Sequence, residues 1–249
     1  MTDFASAAVL LFSGLIVGYL VATLIESFFH QRVSDAPQRT VRAWQRFPRV
    51  CAPLLRANYS HHVIHHRRTF RTDHVTQFAS EEERVALDAQ LAALGKHGRL
   101  IRNAGYAVRL EGSGALAFIA PFIPPSIAAC VWLDPAFAAG FVVALAVSPA
   151  LNYFVHPYLH MPRAEALRSA PMPLKWFIAT AYFEKLVQHH FVHHRYVACN
   201  YNLLMGGDRI REWLRRVLGG ADADPRKSIV RSPTPAGLAE MKRIGLINF

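Results

Sequence analysis

The stretch that decides the fold is FASAAVLLFSGLIVGYLVATLIESFF, from Phe4 to Phe29, in which Glu26 is the one charged residue. A helix of about 20 apolar residues crosses the hydrocarbon core of a bilayer, so this segment predicts a first membrane span. It has no basic residues before it and is longer than the apolar region of a signal peptide, which argues against a cleaved signal.

A second apolar block extends from Ala115 to Val155 and is too long for one membrane helix. The dipeptide Asp134-Pro135 in its middle indicates a tight turn. We therefore predict a helical hairpin with membrane spans over about 115–133 and 135–155. Three prolines are expected to kink or break the first arm of this hairpin: Pro121, Pro124 and Pro125.

Positive charge is confined to the stretches outside these apolar blocks. The chain has 28 Lys and Arg against 17 Asp and Glu, yet no Lys or Arg occurs in 1–31 or in 110–162. A nucleic-acid-binding protein has no reason to exclude charge from two long blocks, whereas a membrane protein does. The pattern therefore predicts a multi-pass integral membrane protein and no nucleic-acid partner. By the positive-inside rule, the basic stretches and the C-terminus face the cytoplasm and the N-terminus lies outside.

The remaining segments predict further helices. The stretch 173–187 is typical of an amphipathic helix at the membrane interface, with a pair of short helices as the alternative. The stretch 81–94 predicts a soluble helix, because Ser80 and Glu83 form a capping box. Residues 221–249 predict a C-terminal tail with a short helix. The fold class is thus all-α: a single domain over 1–249, an integral membrane helical bundle with a cytoplasmic histidine-rich helical cap.

Histidines are the most informative residues, since the chain has 13 of them. Most fall in four groups: His30, HHVIHH at 61–66, His156-x-x-x-His160, and HHFVHH at 189–194. Residues three or four apart share a helix face, so each larger group can direct several imidazoles to one point. Neutral imidazole is a ligand for Zn, Cu, Fe and Ni. Two histidines, His74 and His97, stand apart from the groups.

The four groups are predicted to meet in one layer on the cytoplasmic side of the membrane, because each follows a span or lies in a basic stretch. The repeated His-x-x-His-His pattern suggests two metal ions. Glu26, four residues before His30, shares its helix face. It is a candidate metal ligand, a hydrogen-bond acceptor for an imidazole, or a carboxylate that reaches the interface.

These motifs resemble those of the fatty acid hydroxylase and sterol desaturase superfamily of membrane di-iron oxygenases. The resemblance extends from Glu26 to about Asp208, although the first group has Glu where the family usually has His. It implies this ligand set: Glu26, His30, His62, His65, His66, His156, His160, His190, His193 and His194, with His61 and His189 as alternates. It also implies a second shell of Asn200, Asn202 and Asp208.

The resemblance implies a function as well. Two irons per chain would use O2 to hydroxylate or desaturate an unactivated C–H bond of a lipid-like substrate such as a fatty acyl, sterol or isoprenoid. No catalytic residue beyond the metal ligands is expected. Electrons would come from an external donor, a ferredoxin or a cytochrome b5-like protein. The alternative is a membrane metal or haem transporter or binding protein, which would need ligands near the bilayer midplane.

Overall fold

The computed structural model describes residues 4–106, 118–219 and 227–248. This part of the chain is all-helical and has no strand, as the sequence predicts. In chain order the helices are α1 (Phe4–Phe29), α2 (Gln38–Gln45), α3 (Ala52–Asn58), α4 (Glu81–Ala92), α5 (Lys96–Tyr106), α6 (Ile123–Trp132), α7 (Pro135–Ala150), α8 (His156–Leu159), α9 (Arg163–Ser169), α10 (Met172–Ile178), α11 (Ala181–Arg195), α12 (Gly207–Gly219) and α13 (Pro235–Arg243).

Three segments between or after these helices are π-helical, with hydrogen bonds from residue i to i+5. The first, His30–Ser34, extends α1, and the second, Tyr59–Thr69, extends α3. The third, Leu151–Val155, joins α7 to α8. Each carries a predicted histidine group or leads directly into one. Such segments occur frequently at functional sites.

Helices α1 and α7 lie with their backbones in contact. A Cβ atom added at Gly14 would lie 2.1 Å from the carbonyl oxygen of Phe137, and one added at Gly140 would lie 2.1 Å from that of Leu11. Gly18, one turn beyond Gly14, has equally little space. Small residues spaced by four allow this approach and are enriched where membrane helices pack.

Two helical stretches are long and apolar enough to cross a membrane, Phe4–Ser34 and Pro135–Leu159. Burial distinguishes them from the core helices of a soluble protein, since only 22% and 39% of their most apolar windows are buried. Large apolar side chains face outward instead, for example Phe12 at 64% exposure and Val143 at 59%. The pair therefore presents a wide apolar outer surface.

The first arm of the hairpin differs from the predicted span over 115–133. Its apolar helical part in the described chain is Ala120–Trp132, too short for a full crossing, and residues 115–117 lie outside the described residues. The prolines occupy the 3₁₀ turn at Ala120–Phe122 and the first turn of α6. Proline is tolerated there because the first N–H groups of a helix have no intrahelical partner. Asp134 caps α7, accepting from the N–H of Ala136.

The predicted interfacial helix over 173–187 is two helices, α10 and α11. The break occurs because the hydroxyl of Thr180 caps α11, accepting from the N–H of Phe183. Phe183, Leu186 and Val187 are buried in a core that also contains Met241 from α13. The described part of the tail over 221–249 therefore packs into this core, while 221–226 and 249 lie outside the described residues.

The predicted soluble helix is α4, and the Ser80 hydroxyl accepts from the N–H of Glu83 as the capping box predicts. Leu87 and Leu91 of α4 pack with Ile101 of α5 against Ile64 of the second π-helical segment. This small core holds that segment, and its histidines, against α5.

Candidate metal centre

Five side chains from three parts of the chain form a first group, here called cluster one: His30, Asp35, His61, His66 and His193. The Nε2 atoms of His30 and His61 are 2.8 Å apart, those of His61 and His66 are 3.0 Å apart, and those of His66 and His193 are 3.1 Å apart. A carboxylate oxygen of Asp35 lies 3.3 Å from Nε2 of His30. One ion at the centre can reach all five.

A second group, cluster two, consists of His65, His160, His190 and His194. Nε2 of His194 lies 3.0 Å from that of His65, and Nε2 of His190 lies 3.0 Å from that of His160. His156 adjoins this cluster, with its Nε2 atom 2.8 Å from that of His190. The two ends of α8, the second π-helical segment and α11 thus contribute to one site.

The two clusters are neighbours. His65 and His66 are consecutive in the chain, yet one belongs to each cluster. The rings of His66 and His194, again from different clusters, have centroids only 4.2 Å apart. Two metal ions held by these clusters would therefore lie close to each other in a single centre.

Backbone carbonyl groups orient several of the rings. An imidazole that donates its Nδ1–H to a carbonyl oxygen keeps the lone pair of Nε2 for a metal. Four rings of the clusters have this arrangement. The pairs are His30 with Tyr201 (2.6 Å), His193 with Cys199 (2.8 Å), His160 with His74 (3.0 Å) and His65 with Gly105 (3.3 Å).

The spacing of the nitrogens fits a transition-metal ion. Metal–imidazole bonds are about 2.0–2.1 Å long, which puts adjacent ligands about 2.9 Å apart in octahedral geometry and about 3.3 Å apart in tetrahedral geometry. The Nε2 separations of 2.8–3.1 Å match the octahedral value. Imidazole nitrogens are ligands for Zn, Cu, Fe and Ni, so either cluster could hold one such ion.

Burial favours the neutral form of several of these imidazoles, and ligation requires that form. It lowers the pKa of His65 to about 3 because the charged form loses solvation. The same cause holds the pKa of His66 and His190 well below the usual value. Burial alone would raise the pKa of Asp35, but the surrounding imidazoles, His66 foremost, hold it well below its usual range. Cluster one therefore offers an anionic ligand and cluster two does not.

The second π-helical segment explains which histidines converge. In α-helical geometry His62, His65 and His66 would share a face, which is the sequence prediction. With i to i+5 hydrogen bonds, His61 and His66 align instead, and both enter cluster one. His62 turns to Asp35, where its Nδ1 atom lies 2.9 Å from a carboxylate oxygen. The alternate His61 thus takes the position predicted for His62.

Glu26 lies outside both clusters, although the sequence places it among the ligand candidates. Its carboxylate accepts from the backbone N–H groups of Leu203 and Leu204, at 2.8 and 3.0 Å, and from the amide of Asn152 at 3.3 Å. One more helical turn separates it from the layer of histidines that begins at His30. Its contacts join α1 to the chain after α11.

The predicted second shell and the alternate ligand His189 form a bracing network beside the clusters. The backbone N–H of Asn202 donates to the carboxylate of Asp208, and the backbone N–H of Asp208 donates to the side-chain oxygen of Asn202. The side-chain amide of Asn202 also donates to the carbonyl of Thr23 in α1. His189 faces Asp208, with 3.7 Å between Nε2 and a carboxylate oxygen. Asn200 donates to the carbonyls of His189 and Arg231. These contacts position α1 and α11 without reaching a cluster ring.

Sequence reasoning missed two residues of the centre. Asp35 follows His30 by five positions, the same spacing that pairs His61 with His66, and its N–H bonds the His30 carbonyl 2.8 Å away. This repeated five-residue spacing could have indicated from the sequence that Asp35 joins His30 in the site. His74 is buried beside cluster two, with its ring centroid 4.4 Å from that of His160. Its backbone has a φ of 69°, which the sequence around it does not predict.

An open cavity adjoins cluster one and the histidine next to cluster two. His30 and His61 of cluster one line it, and so does His156 beside cluster two. Its walls come from the ends of α1 and α7, from α3 and α5, and from Phe118 at the start of the hairpin. A bound molecule can therefore reach the centre from the side of the apolar helices.

Comparison of this chain with protein-family models, with curated proteins and with solved structures finds no match.

Proposed function

We propose that this protein is a membrane-embedded oxidoreductase that holds two iron ions in clusters one and two and oxidises a C–H bond of a lipid-like substrate with O2. The observation that carries the proposal is the pair of adjoining imidazole clusters, with a largely apolar cavity lined by His30 and His61 of cluster one and by His156 beside cluster two. A pair of bound irons would supply the activation of O2. The chain would hold the ions, orient the substrate carbon and exclude water.

Membrane insertion is supported by the outer surface of α1 and α7. Exposed apolar patches this wide are rare on soluble monomers, and here they cover both long apolar stretches. Both stretches end at the histidines, since His30 extends α1 and His156 follows α7. With the basic stretches on the same side, the positive-inside rule puts the clusters at the cytoplasmic face.

No feature of the site supports a transporter as strongly as it supports an oxidoreductase. A transport site is expected near the bilayer midplane, between the halves of the molecule, whereas these clusters gather at the ends of the apolar stretches. The fixed tautomers and close spacing of the rings suit a resident metal, since a transported ion must also leave. Electron supply from a ferredoxin or a cytochrome b5-like donor remains part of the proposal.

Metal analysis combined with lipid oxidation tests the proposal. We would purify the protein from iron-supplemented cells, count metal ions per chain by mass spectrometry, and compare lipids of cells with and without the chain. The variants His193→Ala and His65→Ala remove one ligand from cluster one and cluster two, respectively. His97→Ala is the matched control, because His97 is exposed on α5 and belongs to neither cluster.

Two irons per chain and a new hydroxylated or unsaturated lipid are expected for the wild type and for His97→Ala. Each cluster variant should bind less iron and form no product. Zinc in place of iron, or an unchanged lipid profile in iron-loaded cells, would refute the oxidase proposal. Equal activity in all three variants would refute the assignment of the clusters.

A further inference from the structure

The cavity beside the centre has mostly apolar walls. Phe29 and Phe118 line it where α1 meets the hairpin, with ring centroids 6.0 Å apart, and Leu100 and Ile101 of α5 form another wall. Apart from histidines, Arg56 is the one ionisable side chain among the described residues that line it. The described part of the lining therefore carries a positive charge and no carboxylate.

Arg56 has no counter-ion within the described residues. The arginines of this region that do contact a carboxylate, Arg68 and Arg71 with Glu83 and Arg102 with Asp88, do not line the cavity. Arg56 is half-buried in α3. A guanidinium is always charged in proteins, so a ligand anion that meets it gains a charge-assisted hydrogen bond.

We infer that Arg56 binds the anionic head group, a carboxylate or a phosphate, of a single-chain amphiphile whose apolar chain occupies the cavity. This inference rests on the proposed function for its reaction but not for its binding. The apolar chain would contact Phe29, Phe118 and the wall from α5, which remove it from water. The head group would remain at Arg56.

The position of Arg56 also bears on which carbon is oxidised. Arg56 precedes His61 of cluster one by five residues on one continuous helix, about 7 Å along its axis. A head group at Arg56 would therefore place the carbons nearest to it beside the clusters. We expect oxidation in the half of the substrate chain nearer the head group.

Equilibrium binding to the purified full-length protein in detergent tests this inference. The probes are dodecanoate, dodecyl phosphate, dodecanol and dodecylamine, which share one chain and differ in head group. The variants are Arg56→Gln, which removes the charge, and Arg56→Lys, which keeps it. Arg46→Gln is the control, because Arg46 is exposed on the chain just after α2 and does not line the cavity.

The wild type and Arg46→Gln should bind an anionic probe at least about tenfold more tightly than dodecanol, the effect of one hydrogen bond to a charged group. Arg56→Gln should bind both equally, and Arg56→Lys should keep part of the preference. Of dodecanoate and dodecyl phosphate, the probe that binds more tightly identifies the head group. An equal affinity for the acids and the alcohol in the wild type, or a preference that survives in Arg56→Gln, would overturn the inference. Because binding needs no turnover, this outcome is independent of the iron and lipid analysis.

Discussion

Substitution of Asp35 by Asn is expected to weaken metal binding at cluster one and to leave cluster two intact. Within the described chain, Asp35 is the single carboxylate in either cluster. Its oxygens lie 3.3 Å from Nε2 of His30 and 3.4 Å from Nε2 of His193, so an ion bound by those nitrogens adjoins the carboxylate. Asn has nearly the same shape but no charge.

The size of the effect follows from the charge that is lost. Two unit charges about 4 Å apart attract by roughly 4 kcal/mol at an effective dielectric constant of 20, and a divalent ion doubles this attraction before desolvation offsets part of it. Carboxylates that act only from outside the coordination sphere are worth about 10- to 100-fold in affinity. We therefore expect at least about 100-fold weaker binding at cluster one, or about 2.7 kcal/mol.

The assay is competition with a chelator, followed by a count of metal ions per chain. Asp35→Asn should lose one ion at a chelator concentration at which the wild type keeps both. Asp134→Asn is the control, since Asp134 caps α7 at the hairpin turn and Asn caps helices as well as Asp. Retention of both ions in folded Asp35→Asn, or loss of both together, would refute the assignment of Asp35 to one cluster.

Two further results are expected. Glu26→Ala should leave the N–H groups of Leu203 and Leu204 without their acceptor, which costs about 1–3 kcal/mol of folding stability for each group. Thermal unfolding should therefore occur at a lower temperature, while the metal content stays unchanged. Loss of metal at unchanged stability would instead make Glu26 a ligand. In the metal-free protein, burial lowers the pKa of His65 and His74 to about 3. The unfolded chain takes up these protons near pH 6.5 and the folded chain does not. The free energy of unfolding should therefore fall by about 1.4 kcal/mol per group as the pH is lowered from 7.5 to 5.5. A midpoint of thermal unfolding that rises or stays constant as the pH is lowered would contradict the burial of these rings.

The sequence predicts the features that depend on local chemistry. The first apolar stretch is helical from Phe4 to Phe29, as predicted, because a helix pairs the backbone groups of an apolar run within the run itself. The capping box at Ser80 and the turn at Asp134 are present for similar reasons, since each satisfies N–H groups that the helix itself cannot pair. The gathering of four histidine groups could also be predicted, because each group has a helical spacing.

The features that the sequence does not predict depend on tertiary contacts. The role of Glu26 is decided by the N–H groups of Leu203 and Leu204, nearly 180 residues away. His74 lies beside cluster two because its backbone has a positive φ, which the neighbouring residues do not predict. No helix-face argument can foresee either placement, because the partner comes from another part of the chain.

The π-helical segments account for the architecture of the centre. On a regular α-helix, His62, His65 and His66 would point to one side and would serve one ion. The i to i+5 geometry instead aligns His61 with His66, leaves His65 to cluster two and lets His62 bond Asp35. All four histidines of one short segment are thereby used, and consecutive residues supply different clusters. The poorer geometry of such segments makes them rare, so three of them around one site indicate that the placement of these side chains, more than local helix stability, determines the backbone here.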